Sequence, residues 1–298
     1  MNEIVEFKRT EDSTQLTNIE SNRAMQEVQA AVLMAKKFPR DQTAAYNRIM
    51  TACERQGLCE SAMFAFPRGG TMVSGASIRL AEVIAQNWGN MDFGIRELSQ
   101  ENGYSEVEAF AWDIETNTKQ TKSFKVPHVR QTKYGKKNLT DPRDIYEMIA
   151  NQGARRLRAC ILGIIPADIT ESAIGKCEET LKKGGGAPLV DRIRSMVQKF
   201  SKIGVSQEMI EERLQHKTTA IVENQLIELG KIYNSIKTGI SDRTQWFKIE
   251  KTPEINKELT EKIKAKSEKK TKPKTAKEET KQAKEETKQD VEEVPFEK

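Results

Sequence analysis

The stretch from Asp141 to Pro166 constrains the fold more than any other part of the chain. Asp141, Pro142 and Asp144 together make a helix start. The first acid caps, the proline lacks only an N–H that would be unpaired anyway, and the second acid faces the positive helix end. From there the spacing predicts a helix over 142–164. Placed at helical intervals, Tyr146, Ile149, Gly153, Leu157, Cys160 and Ile164 fall on one face. Arg155 and Arg158, with Asn151, stand opposite, and Arg156 lies on the flank. Such a stripe has to be covered, and Gly153 within it lets the helix sit close on a sheet.

The sheet is supplied upstream. Three strand-like runs, MDFGIRELS, SEVEAFAWDI and KQTKSFKV, are divided by turns at Asn102-Gly103 and over 115–117. Before them, Met25, Val28, Val32, Leu33 and Met34 repeat at helical spacing up to Phe38-Pro39. A second helix follows Asp41 and is expected to stop at Gly57, and SAMFAFPRGGTMVSG reads as a hairpin turning on Gly69-Gly70. ASIRLAEVIAQNWG is an amphipathic helix closed by Gly89. After the long helix, another covers 168–182, and Lys182-Lys183-Gly184-Gly185-Gly186 reads as a linker. Helical patterns then recur at 190–203, 206–215 and 223–236.

From Lys251 to the end the chain holds 14 Lys against 12 acids and repeats KEETKQ at 277–282 and 284–289. A segment so poor in large apolar residues buries too little to offset its ordering entropy. The fold class is therefore α+β: an antiparallel β-meander packed on a long basic helix, plus a small all-α C-terminal domain and a disordered tail. The expected divisions are 1–18 as a flexible N-terminus, 19–183 as the core, 188–248 as the helical domain and 249–298 as the tail.

Net charge over the 298 residues is only +5, yet residues 115–160 carry 11 Lys+Arg against 4 acids. So concentrated a positive segment is the footprint of a polyanion site. Three arginines within four residues suit phosphate, because a guanidinium binds oxygens bidentately and stays charged. The segment RQTKYGKKNLT is expected to be a flexible basic loop, with Tyr134 as a base-stacking residue among lysines. Lys119, Lys122 and Lys125 recur at steps of three, so they do not share one sheet face. Trp88, Phe93, Phe110, Trp112 and Phe124 read chiefly as core.

The charged start MNEIVEFKRT has no apolar h-region, and no window approaches the length of a membrane span, so a cytoplasmic location is expected. Four scattered cysteines without CxxC, and two histidines, read as buried free thiols rather than a metal site. Asp113, Glu115 and Lys119 lack the spacing of a nuclease carboxylate–carboxylate–lysine set. Gly175-Lys176 has no Walker surroundings, and no nucleophile elbow is present. A binding protein, not an enzyme, and one without a cofactor, is expected.

Three stretches carry a resemblance. IYEMIANQGARRLRACILGIIP (145–166), MVSGASIRLAEVIAQNWGN (72–90) and KFSKIGVSQEMIEERLQHKTTAIVENQLIELGKIYNSIKTG (199–239) are similar to segments of the phage single-strand annealing recombinases of the RecT/Redβ type, with Tyr146 where RecT has tryptophan. The resemblance implies single-stranded DNA binding and ATP-independent annealing of complementary strands. It also implies a homo-oligomer, as ring or helical filament, and a phage exonuclease as partner. Arg155, Arg156 and Arg158 match that family's arginine helix, and Arg79 a basic position on the preceding helix. Lys122, Lys125, Arg130, Lys133, Tyr134, Lys136 and Lys137 complete the expected DNA-binding set. DVEEVPFEK (290–298) resembles the acidic end of bacterial single-stranded-DNA-binding proteins, implying a docking role that involves a host protein of that kind. A replication or helicase-loading accessory, binding single strands without annealing them, is the alternative.

Overall fold

The computed structural model describes residues 3–132 and 135–248, with side chains over 19–130 and 135–248. The tail expected over 249–298, and with it the implied docking peptide, lies outside the described residues. The chain is α+β.

Helix α1 spans Glu3–Lys37. Residues 3–18, expected to be loose, are helical, since no Gly or Pro interrupts the run. Helix α2 (Gln42–Ala52) is capped by the Asp41 carboxylate, which accepts from the Ala44 N–H at 3.0 Å. It ends before Gly57 because Arg55 turns extended and its Nε donates to the Ala52 carbonyl; α3 (Gln56–Cys59) then forms a separate turn. Strands β1 (Met63–Arg68) and β2 (Thr71–Ala76) make the expected hairpin, with Gly69 and Gly70 at φ of 57° and 83°. Helix α4 (Ile78–Trp88) starts on Ser77 and stops at Gly89.

Strands β3 (Met91–Glu101), β4 (Tyr104–Asp113) and β5 (Thr118–Pro127) form one antiparallel sheet in chain order, with a bulge between Glu97 and Ser99. The supposed basic loop is not a loop. Strands β6 (Val129–Thr132) and β7 (Gly135–Asn138) pair, because the buried His128 ties the base of this hairpin. Its N–H donates to the Gly103 carbonyl, its carbonyl accepts from Leu139 at 2.8 Å, and its ring meets Ser105 Oγ.

Helix α5 (Pro142–Leu162) lies against β4 and its neighbours. The buried row is Ile145, Ile149, Gly153, Leu157 and Ile161, with Cys160 beside it. Steps of four drift about 40° each around a 3.6-residue helix. The stripe therefore winds, and Tyr146, expected on the buried face, is 68% exposed. A Cβ on Gly153 would stand 2.6 Å from Ile95 Cδ1, so the close approach is real.

Helices α6 (Ala167–Lys183), α7 (Leu189–Ser201), α8 (Gln207–Leu214) and α9 (Glu223–Lys237) complete the described chain. Phe200, Val205, Ile210, Leu229, Ile232 and Phe247 cluster around α7 and α9, and Ala65 of β1 belongs to that same cluster. Two side chains of α9 bond directly to the first hairpin. Ser235 Oγ accepts from the Ala65 N–H, and Asn234 donates to the Met63 carbonyl. All four cysteines are buried and free. Among the described residues no helix is long and apolar enough to cross a membrane.

Candidate nucleic-acid interface

The three arginines of α5 go to three different neighbours. Arg158 lies over the Phe64 ring, its guanidinium carbon 4.2 Å from the centroid. Arg155 donates to the Gly239 carbonyl beyond α9. Arg156 bonds back to Gln152 and covers the Phe124 ring at 4.4 Å. Among the described residues, no carboxylate lies within ion-pair distance of any of them. Burial, and then the neighbouring Arg155, push the Arg158 pKa below its ordinary value. Arg155 and Arg158 are thus two neighbouring like charges, one of them half-buried, without a carboxylate counter-ion among the described residues.

The sheet divides the predicted lysines. Lys122 sits opposite Ala109, on the α5 side, where its ammonium acts against the burial that pushes the Cys160 thiol up. Lys119 and Lys125 stand on the other face with Trp112 and Glu106 opposite them. That face also carries Arg96, paired at 4.0 Å with Glu108 and stacked on Phe110. Its cations already have acids or rings as partners, so Lys125 does not join the arginines. Arg130 is held by Asp144 at 3.2 Å, at the opposite end of α5. Lys136 and Lys137 are exposed on β7, while Lys133 and Tyr134 lie outside the described residues. Arg79 is 69% exposed and bonded to Glu82 one turn on, a surface pair of small energetic weight.

The faint nuclease set is accounted for otherwise. Asp113 takes both arms of Arg40 at 3.0 Å, and Glu115 accepts from the Arg40 N–H and from Asn90. In the cleft of about 750 Å³ between α3, α7 and α9, Lys199 pairs with Glu60, Lys231 reaches Glu178, and Arg192 donates to the Leu181 carbonyl.

Sequence reasoning missed Phe64 and Phe66. Their rings stack with centroids 6.0 Å apart and 14° between planes, and Phe64 lies directly beneath Arg158. The signal was present: the two stand two apart in a strand, and residues 61–81 contain no acid.

No family model, curated protein or solved structure matches the chain.

Proposed function

We propose that the chain binds single-stranded DNA and anneals complementary strands without ATP, as the RecT/Redβ-type recombinases do. The observation that carries this reading is the Arg155–Arg158 pair, two neighbouring guanidiniums beside stacked aromatic rings with no carboxylate in ion-pair reach among the described residues. Phosphate oxygens supply the missing counter-charge, and the rings tolerate any base. On this reading residues 19–183, with the sheet β3–β4–β5 and α5, are the annealing core, residues 188–248 are a small helical domain, and a phage exonuclease and a host single-stranded-DNA-binding protein are the expected partners. Annealing without nucleotide chemistry requires one strand held by its backbone with its pairing edges free. Contacts from many copies in a ring or filament then add through effective concentration.

The test is annealing of two complementary fluorescent oligonucleotides, without nucleotide cofactor, by wild type and by Arg155→Ala/Arg158→Ala. We expect rapid annealing by wild type and its loss in the double variant. The salt dependence of log K for single strands should flatten by about 1.4, roughly 0.7 per phosphate contact removed. Annealing that survives the substitutions places DNA elsewhere. Single strands bound but not annealed favour the replication or helicase-loading accessory.

A further inference from the structure

The hairpin β1–β2 carries the stacked rings of Phe64 and Phe66, and its open face bears on how a strand would lie on them. By cross-strand pairing, Phe64 stands opposite Gly75 and Phe66 opposite Val73, so these four share one face. Phe64 is buried under Arg158, whereas Phe66 packs on the α7–α9 cluster with one side and stays half-exposed. Val73 is 36% exposed, and the whole of β2 from Thr71 to Ser74 is open to solvent. At Gly75 β2 lies close on the first ring: a Cβ there would stand in van der Waals contact with Phe64, at 3.6 Å. The face thus runs outward from the arginine pair as a flat apolar strip. No acid occurs anywhere over residues 61–81, while Arg68 and Arg79 do. A protein partner with an apolar patch would not need this absence of negative charge; a polyanion with π-faces does.

We propose that the face formed by Phe66 and Val73 takes the bases of a single strand whose phosphates lie on Arg155 and Arg158. The proposal rests on the nucleic-acid reading above and adds to it which side of the strand faces which element. Stacking engages the flat faces of the bases and leaves their hydrogen-bonding edges free, which annealing requires. It also makes binding tolerant of sequence but dependent on the presence of bases.

The full-length chain is titrated, by fluorescence anisotropy, into a labelled oligothymidylate and into an oligomer of equal length built of abasic deoxyribose phosphate. Phe66→Ala should weaken oligothymidylate binding about tenfold, leave the abasic oligomer's affinity unchanged and leave the salt slope unchanged. Phe66→Trp should retain binding, with indole emission quenched by the oligothymidylate and not by the abasic oligomer. Val73→Glu, at an exposed position, should weaken both. These two variants decide the matter if Phe66→Ala does not fold. Loss of both affinities in Phe66→Ala, or of neither, overturns the proposal, as does unquenched emission from Phe66→Trp. If Phe66→Ala binds both oligomers as wild type does while Arg155→Ala/Arg158→Ala binds neither, the nucleic-acid reading stands and the hairpin is a structural or protein contact. Wild type that binds neither oligomer overturns both.

Discussion

Arg40 and Asp113 are each 5% exposed and bonded fork to fork at 3.0 Å. The same guanidinium donates to the carbonyls of Trp88 and Gly89 and lies 4.7 Å over the Trp88 ring. One side chain therefore fastens the end of α1 to the end of α4 and to the last residue of β4. Removing only one partner strands the other charge in the interior. Arg40→Met and Asp113→Asn should each cost about 3–5 kcal/mol in urea unfolding, and the double variant markedly less than their sum. Arg158 is the contrary case: it is half-buried, lies on a ring, and has no carboxylate among the described residues. Residue identity in the sequence does not separate the two, because the difference lies in what the fold brings opposite each guanidinium.

At the scale of elements, the packing of α5 on the sheet turns on one missing methyl. An alanine at Gly153 would place its Cβ 2.6 Å from Ile95 Cδ1 and 3.1 Å from its Cγ2. Gly153→Ala gains helix propensity yet forces overpacking, and the net effect in urea unfolding should be a loss of about 1–3 kcal/mol. Ile95→Val in the same chain should restore part of it. Much of this layer was legible beforehand, because its signals are local: Asp141-Pro142 at the start of α5, Ser77 and Gly89 at the ends of α4, and Gly69-Gly70 and Asn102-Gly103 between strands. What was not legible depends on distant partners. The winding of the buried row past Tyr146 follows from how α5 crosses the sheet, and pairing over 129–138 follows from His128 bonding to Gly103.

Across the whole described chain, two hydrophobic clusters meet at one strand. Met63 belongs to the cluster built on α2, α4 and α5, and Ala65, two residues on, to the cluster of α7 and α9. With Ser235 and Asn234 bonded to this strand, neither cluster opens without disturbing the other. Calorimetry should give a single transition whose calorimetric and van't Hoff enthalpies agree; two separate peaks would show that 188–248 melts independently. The candidate site shows the same division of legibility. A basic segment over 115–160 was plain from charge alone. Its sorting was not, since Glu106 faces Lys125, Asp144 holds Arg130, and the ring beneath Arg158 is Phe64 of β1, some ninety residues earlier. Among the described residues the Arg155–Arg158 pair has no carboxylate to neutralise it. On the nucleic-acid reading proposed above, a seated polyanion shields the repulsion within that pair, and a ligand that binds only the folded chain at a hundred times its Kd adds about 2.7 kcal/mol to stability. Occupancy is thereby written into heat resistance: the filled molecule outlasts the bare one on warming, whether or not a second strand ever arrives.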